Sequence, residues 1–352
     1  MNQVFLTDKE IREKLFPFTQ IRSAADIRVG ILTIREKWQR YLGTQVLLAE
    51  EAASVPDNAM ILSANIIPSK EFVDSLVPGG RLSDNPDWNS VKIVQYPWHI
   101  FMWNDWAIRE DFKLITAKRK SAAIPATIQT SGSNNIFIEE GAKLSHSIIN
   151  AETGPVYIGR NAEIMEGTVI RGPFALCEGA VVKMGTKIYG ATTIGPHCVV
   201  GGEIKNSVIF GYSNKAHEGY LGDSVIGEWC NLGAGTSNSN MKNNAGDVRM
   251  WNNVSKEFVT AGMRKCGLIM GDYSRSAINT SFNTGTMVGI CANVFGAALT
   301  AKFIPSFSWG NEKMEKYEFD KAINDIENWK KLKGRSLSQQ EKTQLKLIFD
   351  QN

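Results

Sequence analysis

Between residues 203 and 240 the chain gathers side chains suited to acyl transfer onto an amine. It reads Glu203-Ile204-Lys205, then Lys215-Ala216-His217-Glu218-Gly219-Tyr220-Leu221-Gly222-Asp223. Cys230-Asn231-Leu232-Gly233-Ala234-Gly235-Thr236 and Asn238-Ser239-Asn240 follow. A neutral imidazole can take a proton from an attacking amine near neutral pH. Lysine ammonium groups can hold a phosphate, and Tyr or Asn donors can position hydroxyls or polarise a carbonyl. From the residues alone, His217 reads equally as that base and as a surface imidazole beside Glu218.

Something rigid must hold these groups, and the preceding stretch supplies it. Positions 158, 164, 170, 176, 182, 188, 194 and 200 are Ile, Ile, Ile, Leu, Val, Ile, Ile and Val. Small residues follow at Ala162, Thr168, Ala180, Thr186, Thr192 and Cys198, with Gly at 167, 179 and 185. A helix wants a period of about 3.6 and a lone strand a period of about 2, so a strict six-residue beat fits neither. It predicts a solenoid of very short strands, a hexapeptide β-helix whose aliphatics stack from coil to coil. The beat breaks after Val200 and resumes near Tyr220, Ile226 and Leu232. Thr236 to Asp247 carries no hexads and reads as an extruded loop, the kind of segment on which function concentrates.

The flanks differ in character. Residues 1–125 predict an α/β unit. Its strand candidates are Val4–Leu6, Val29–Ile34, Thr44–Leu48 and Ala59–Ser63, with helices over Glu71–Leu76 and Ala107–Thr116 and a helical turn over Asp8–Lys14. Tyr96, Trp98, Phe101, Trp103 and Trp106 read as packing rather than as a ligand platform. A polar linker leads to the solenoid, residues 126–310, with its first strand expected from Ile136. Residues 311–352 switch to helix, with Ser338-x-x-Glu341 as a capping box. A helical tail can cover an exposed coil.

Composition narrows the class. The chain has 352 residues, a formal charge of +3 and 43% hydrophobic content, which fits an ordinary globular protein and neither a nucleic-acid binder nor a disordered one. No apolar run approaches the ~18 residues of a membrane span, and the N-terminus does not read as a signal peptide. Five cysteines without C-x-x-C read as buried reduced thiols, which implies the cytoplasm.

The run KAHEGYLGDSVIGEWCNLGAGTSNSN resembles the acetyltransferase segment of the bifunctional N-acetylglucosamine-1-phosphate uridylyltransferase/glucosamine-1-phosphate N-acetyltransferase family. The match keeps the spacing from His217 to both asparagines without a gap. The resemblance implies His217 as general base, with Tyr220, Asn231 and Asn240 contacting the sugar phosphate. It implies Lys205, and Lys187 in the place of an arginine, as phosphate contacts. Backbone around Ala234 and around Ala277, Ile278 and Asn279 would meet acetyl-CoA. The fold it implies is a truncated nucleotidyltransferase-like α/β domain, a left-handed parallel β-helix and a helical tail, assembled as a homotrimer with shared sites. The family's Asn-Tyr-Asp-Gly is here Asn240-Met241-Lys242-Asn243. Leu15-Phe16-Pro17-Phe18-Thr19-x-x-Arg22 resembles the Pro-Leu-Thr-x-x-Arg-Pro segment of sugar nucleotidyltransferases, which implies UTP and Mg²⁺. The usual Gly-rich loop is missing from residues 1–15, and Ser63-Ala64-Asn65 lacks the expected Asp. Arg22, Arg28 and Lys37 are the candidates there for a nucleotide phosphate, with surface charge the equal alternative.

Two other classes compete. Zinc hydration would need three converging imidazoles, and the solenoid offers His146, His197 and His217 with no His-x4-His pair. A non-catalytic module that binds sugar nucleotide is the other. The expected partners are an amino-sugar phosphate and further copies of the chain, with no resident metal, nucleic acid or membrane.

Overall fold

In a computed structural model, residues 4–76, 83 and 86–351 are described. A parallel β-solenoid dominates, with three faces. The first face has six strands: Gln129–Ser131, Ile148–Asn150, Val169–Arg171, Lys187–Tyr189, Glu203–Lys205 and Tyr220–Gly222. The second runs from Ile136–Ile138 to Phe303–Ile304. The third runs from Lys143–Leu144 to Ser308–Trp309 and is closed by antiparallel Glu315–Lys316. The six-residue beat is the cause. Each short strand sends one aliphatic inward, and Ile158, Ile170, Leu176, Val182, Ile194 and Val200 are all fully buried. Thr168, Ala180, Thr186, Thr192 and Cys198 fill the space between them, also fully buried. Strands stack ~4.8 Å apart, so every backbone amide within the stack finds a partner above or below.

The break in the beat is a shortening of the coil, and the sheets continue through it. Ile204 and Ile209 are buried in strands that pair above Ile188 and Ile194. Most of the shrinkage is at the Gly201-Gly202 corner, and the turn between Ile204 and Ile209 is shortened as well. A Cβ at Gly201 would stand 2.5 Å from the Ala216 carbonyl oxygen, and one at Gly202, where φ is +76°, 2.9 Å from that of His217. Two residues without side chains let the backbone that carries His217 sit directly on this corner.

In the N-terminal region Val4–Thr7 pairs in parallel with Met60–Ser63, and Ile66–Ile67 pairs antiparallel with Lys92–Ile93. The helices are α1 (Ile34–Leu42), α2 (Lys70–Leu76), α3 (His99–Met102) and α4 (Asn104–Thr116). The strand expected over 29–34 is instead a buried turn. Gly30 has φ +80°, and Thr33 and Glu36 form a capping box that starts α1. The amides of Ile31 and Leu32 donate to Asp111 on α4 at 2.7 and 3.0 Å. A remote carboxylate thus replaces the sheet partner that a Val/Ile-rich run ordinarily needs. Of 44–48, only Leu48 joins a sheet, as a bridge to Leu6. Asp8–Lys14 gives turns that end in a short 3-10 helix at Glu13–Leu15. The solenoid starts at Gln129, ahead of the expected Ile136.

Flanking segments cover two faces of the prism. The N-terminal region lies on the second: Val208, Val225, Ile269 and Met287 share one core with Phe16, Phe18, Trp98 and Phe101. Asn104 seals the contact, accepting from Thr193 Oγ1 at 3.1 Å and donating to the Ala191 carbonyl at 2.9 Å. A hairpin, Arg249–Asn252 with Glu257–Thr260, also docks here, Trp251 stacking on Phe303 at 4.2 Å. Helices α5 (Phe319–Leu332) and α6 (Gln339–Gln351) lie on the third face. There Lys333 Nζ donates to the His197 carbonyl at 2.6 Å and to Asn214 Oδ1 at 3.2 Å. The capping box between Ser338 and Glu341 is formed. The first face stays open, with Ile148 and Val169 each nearly half exposed. All five cysteines are buried and unpaired. Among the described residues no helix is long and apolar enough to cross a membrane.

Candidate functional site

Side chains on a strand alternate in and out, so each three-residue strand of the first face presents its first and third residues outward. One outward column reads Val169, Lys187, Glu203, Tyr220; the next reads Arg171, Tyr189, Lys205. Three of the residues singled out from sequence, Lys187, Lys205 and Tyr220, therefore share the open face. Lys205 Nζ lies over the Tyr189 ring at 5.9 Å, and the Tyr189 hydroxyl donates to Glu203 at 2.5 Å. That hydrogen bond to a carboxylate pushes the Tyr189 phenol up to about 12.

Asn240 reaches the same place from the start of the hairpin insertion. Its Nδ2 donates to the Tyr220 hydroxyl at 3.0 Å and to Asp223 at 2.5 Å. Asp223, 4% exposed, also accepts from Asn206 at 2.7 Å. The Tyr220 hydroxyl accepts from Asn240, which leaves its own proton to donate outward. Burial, then the neighbouring Asp223 charge, raises the Tyr220 phenol well above its ordinary value, so it stays protonated. Asn238, in the short strand Ser237–Asn238 that pairs with Ser281–Phe282, joins the coil below through its side chain, which accepts from the Gly222 amide at 2.9 Å and donates to the Gly222 carbonyl at 3.1 Å.

His217 stands at the corner between the third and first faces, exposed. The backbone beneath it is held by Lys215, whose Nζ donates to the His217 carbonyl at 2.5 Å. Lys215 is 3% exposed, and burial lowers its ammonium to about 8, against the pull of Glu218. The coils above continue this corner as a ridge. Gly235 donates to the Glu218 carbonyl at 3.0 Å, and Asn279 to the Ala234 carbonyl at 2.7 Å. Ala234, Ala277, Ile278 and Asn279 thus follow His217 up one edge, with Ile278 70% exposed at the rim.

Asn231 is placed differently. It pairs in register with Asn214 and Arg275 on the third face, around the corner from Tyr220. Sequence reasoning counted Lys215 among the lysines that could hold a phosphate, which its burial rules out, and assigned no role to Asp223, Asn206 or Asn238. All four lie in or beside the motif, but only folding shows what each one holds.

The three N-terminal cations are not gathered into one cluster. Arg22 pairs with Asp272 at 2.9 Å and Glu228 at 3.1 Å on the solenoid. Arg28 donates to the Ile31 carbonyl and lies 3.8 Å from Glu36. Lys37, 1% exposed, pairs with Asp111. The Asn65 amide donates to the Val94 carbonyl at 2.9 Å. His197 stacks on Tyr212 at 5.1 Å on a different corner from His217. Among the described residues no three His, Cys, Asp or Glu side chains stand together as a metal-binding group.

Residues 4–83 match the family model described as sugar nucleotidyl transferase. The chain is 28% identical over 229 residues to a bifunctional sugar-1-phosphate nucleotidylyltransferase/acetyltransferase of Sulfurisphaera tokodaii, covering 59% of this chain and 48% of that protein. It is 26% identical over 269 residues to the bifunctional protein GlmU of Methanococcus maripaludis, covering 74% and 58%. A solved structure of Arabidopsis UDP-N-acetylglucosamine acyltransferase aligns with TM-score 0.31 at 13% identity, covering 64% of this chain and 88% of that one. The chain spans about half the length of the two curated relatives.

Proposed function

We propose that this chain, a sequence relative of the bifunctional sugar-1-phosphate nucleotidylyltransferase/acetyltransferases, transfers an acetyl group from acetyl-CoA to the amine of an amino-sugar phosphate. Glucosamine 1-phosphate is the acceptor that the motif implies. The observation that carries the reading is the exposed His217 at the edge of the face bearing Lys187, Lys205 and Tyr220, with Asn240 hydrogen-bonded to Tyr220. In this reading His217 takes the proton that the amine loses on attack. Tyr220 donates to a sugar hydroxyl, and Lys205 and Lys187 neutralise the phosphate one and two strands below it. Lys215 fixes the backbone under the base. Asn231, on the third face, would act from a neighbouring copy in a homotrimer.

Acetyl-CoA supplies the acetyl group as a thioester: the C–N bond forms, the C–S bond breaks, and coenzyme A leaves as the thiol with the proton that His217 took from the amine. The ridge offers a lane for the methylene and dimethyl parts of the coenzyme's long amide-containing arm: Ala234, Ala277 and Ile278 have small or apolar side chains, and Leu299 on the coil above is 56% exposed. The test is CoA release on mixing glucosamine 1-phosphate and acetyl-CoA with the protein. Release is expected, with a loss of about a hundredfold or more in His217→Ala. Unchanged release in that variant removes His217 from the mechanism.

A second reading concerns residues 1–125. Because Arg22, Arg28 and Lys37 each engage carboxylates or carbonyls of the chain, this unit braces the solenoid rather than holding UTP and Mg²⁺. Pyrophosphate release from UTP, Mg²⁺ and N-acetylglucosamine 1-phosphate would overturn it.

A further inference from the structure

Arg171 is a cation that the proposed acyl transfer does not use. It projects from the first face in the same column as Tyr189 and Lys205. Its guanidinium and the Lys187 ammonium form no hydrogen bond or ion pair among the described residues, and Lys205 meets only the Tyr189 ring. The one carboxylate in these two columns, Glu203, is tied to the Tyr189 hydroxyl. Three unpaired cations thus line one open face, descending from the Tyr220 and His217 level.

Spacing says what such a ladder could hold. Strands of the face lie ~4.8 Å apart, so Lys205 is one step below Tyr220, Lys187 two, and Arg171 three, or ~14 Å. Lys205 and Lys187 suffice for a single phosphate on the anomeric carbon of a sugar whose amine lies by His217. Arg171 is too low to share it. An extended arginine reaches up by somewhat more than one strand step, which brings its fork to where a second, linked phosphate would hang. Arginine's planar donors suit a phosphate bidentately. Asn150, its side-chain amide 3.4 Å from the Glu152 carboxylate, is next in the column, and a nucleoside would lie over this lower edge.

We infer that the first face binds a pyrophosphate, with Arg171 on the distal phosphate, so that the preferred acceptor is a nucleoside-diphosphate amino sugar and a sugar 1-phosphate is the poorer one. This rests on the acceptor face assigned above. Coenzyme A also carries a pyrophosphate, but the ridge assigned to it climbs away from Arg171, towards Ala234 and Ile278.

The experiment measures binding without turnover, so its result is independent of whether His217 catalyses anything. Uridine diphosphate, uridine monophosphate and coenzyme A are titrated calorimetrically at low salt into the wild-type protein, Arg171→Ala and Arg171→Lys. The expected result is a diphosphate bound about tenfold or more tighter than the monophosphate, with that ratio collapsing in Arg171→Ala and partly restored in Arg171→Lys. Coenzyme A affinity should be the same in all three proteins. Equal affinity for the two nucleotides, or a ratio that survives Arg171→Ala, overturns the inference. Weakening of coenzyme A in place of uridine diphosphate overturns the assignment to the acceptor. A kinetic arm then compares kcat/KM for the amino sugar 1-phosphate with that for its nucleoside-diphosphate form. Preference for the 1-phosphate sinks the inference while leaving acetyl transfer standing.

Discussion

Replacing Asp111 with alanine should be among the most damaging single changes in the first 125 residues. Its carboxylate, on α4 and 2% exposed as a residue, does three things at once. It pairs with the Lys37 ammonium on α1, and it accepts from the amides of Ile31 and Leu32 at 2.7 and 3.0 Å. Burial drives the carboxyl up and the ammonium down, and each is opposed chiefly by the other's charge. Removing one member of such a pair strands the other in a medium that cannot solvate it, at a cost of about 3–5 kcal/mol. The two orphaned amides add to this, though not in full because water can enter the space left. A loss of about 4 kcal/mol is expected, a large part of the ~5–15 kcal/mol that holds a typical domain together. Guanidinium unfolding followed by tryptophan fluorescence measures it, since Trp38 is fully buried next to Lys37. Removing both charges with Lys37→Met and Asp111→Leu should recover the part due to the stranded ammonium and leave the cost of the two orphaned amides. A cost below ~1 kcal/mol for Asp111→Ala would refute the reasoning.

Three further outcomes follow from the site. Burial lowers Lys215 to about 8, so from there to the ordinary lysine value the folded chain holds fewer protons than the unfolded one, and stability at this site should rise with pH across that window. Lys215→Met should flatten the rise in denaturation midpoint between pH 8 and 10, and an unchanged slope would count against the burial. Gly219 has φ +125° and its missing Cβ would lie 2.1 Å from the Thr236 carbonyl oxygen, so Gly219→Ala must push the His217 corner off the coil above. Turnover should fall more than tenfold while the unfolding midpoint moves little, since the clash is at an edge; a wild-type rate would contradict the packing. Asn240→Ala leaves the Tyr220 hydroxyl and Asp223 each one partner short, and should raise KM for the acceptor severalfold with KM for acetyl-CoA unchanged. An effect on acetyl-CoA alone would place Asn240 on the wrong substrate.

The β-core was legible in the residues because its rule is local. Whether Ile170 or Val182 points inward depends only on its place in a six-residue beat, and any chain with that beat buries those positions. The capping box at Ser338 and Glu341 was legible for the same reason, three residues apart on one turn. Tertiary structure alone decided what joins distant parts of the chain. Sequence could not tell that 29–34 would bend into a turn, because the acceptor that satisfies its amides lies some eighty residues away. Nor could it tell that Arg22 would meet Asp272, 250 positions on, instead of a nucleotide. Which face stays open was equally hidden. Tyr220 and Asn231 sit eleven positions apart in one motif, yet the two corners between them, either side of Val225–Ile226, send them to different faces, and only the packing of the N-terminal unit and of α5 shows which faces solvent can reach. A buried charge takes whichever counter-charge the fold brings within reach, and that choice depends on loop closure and desolvation across the whole molecule, which no local pattern encodes.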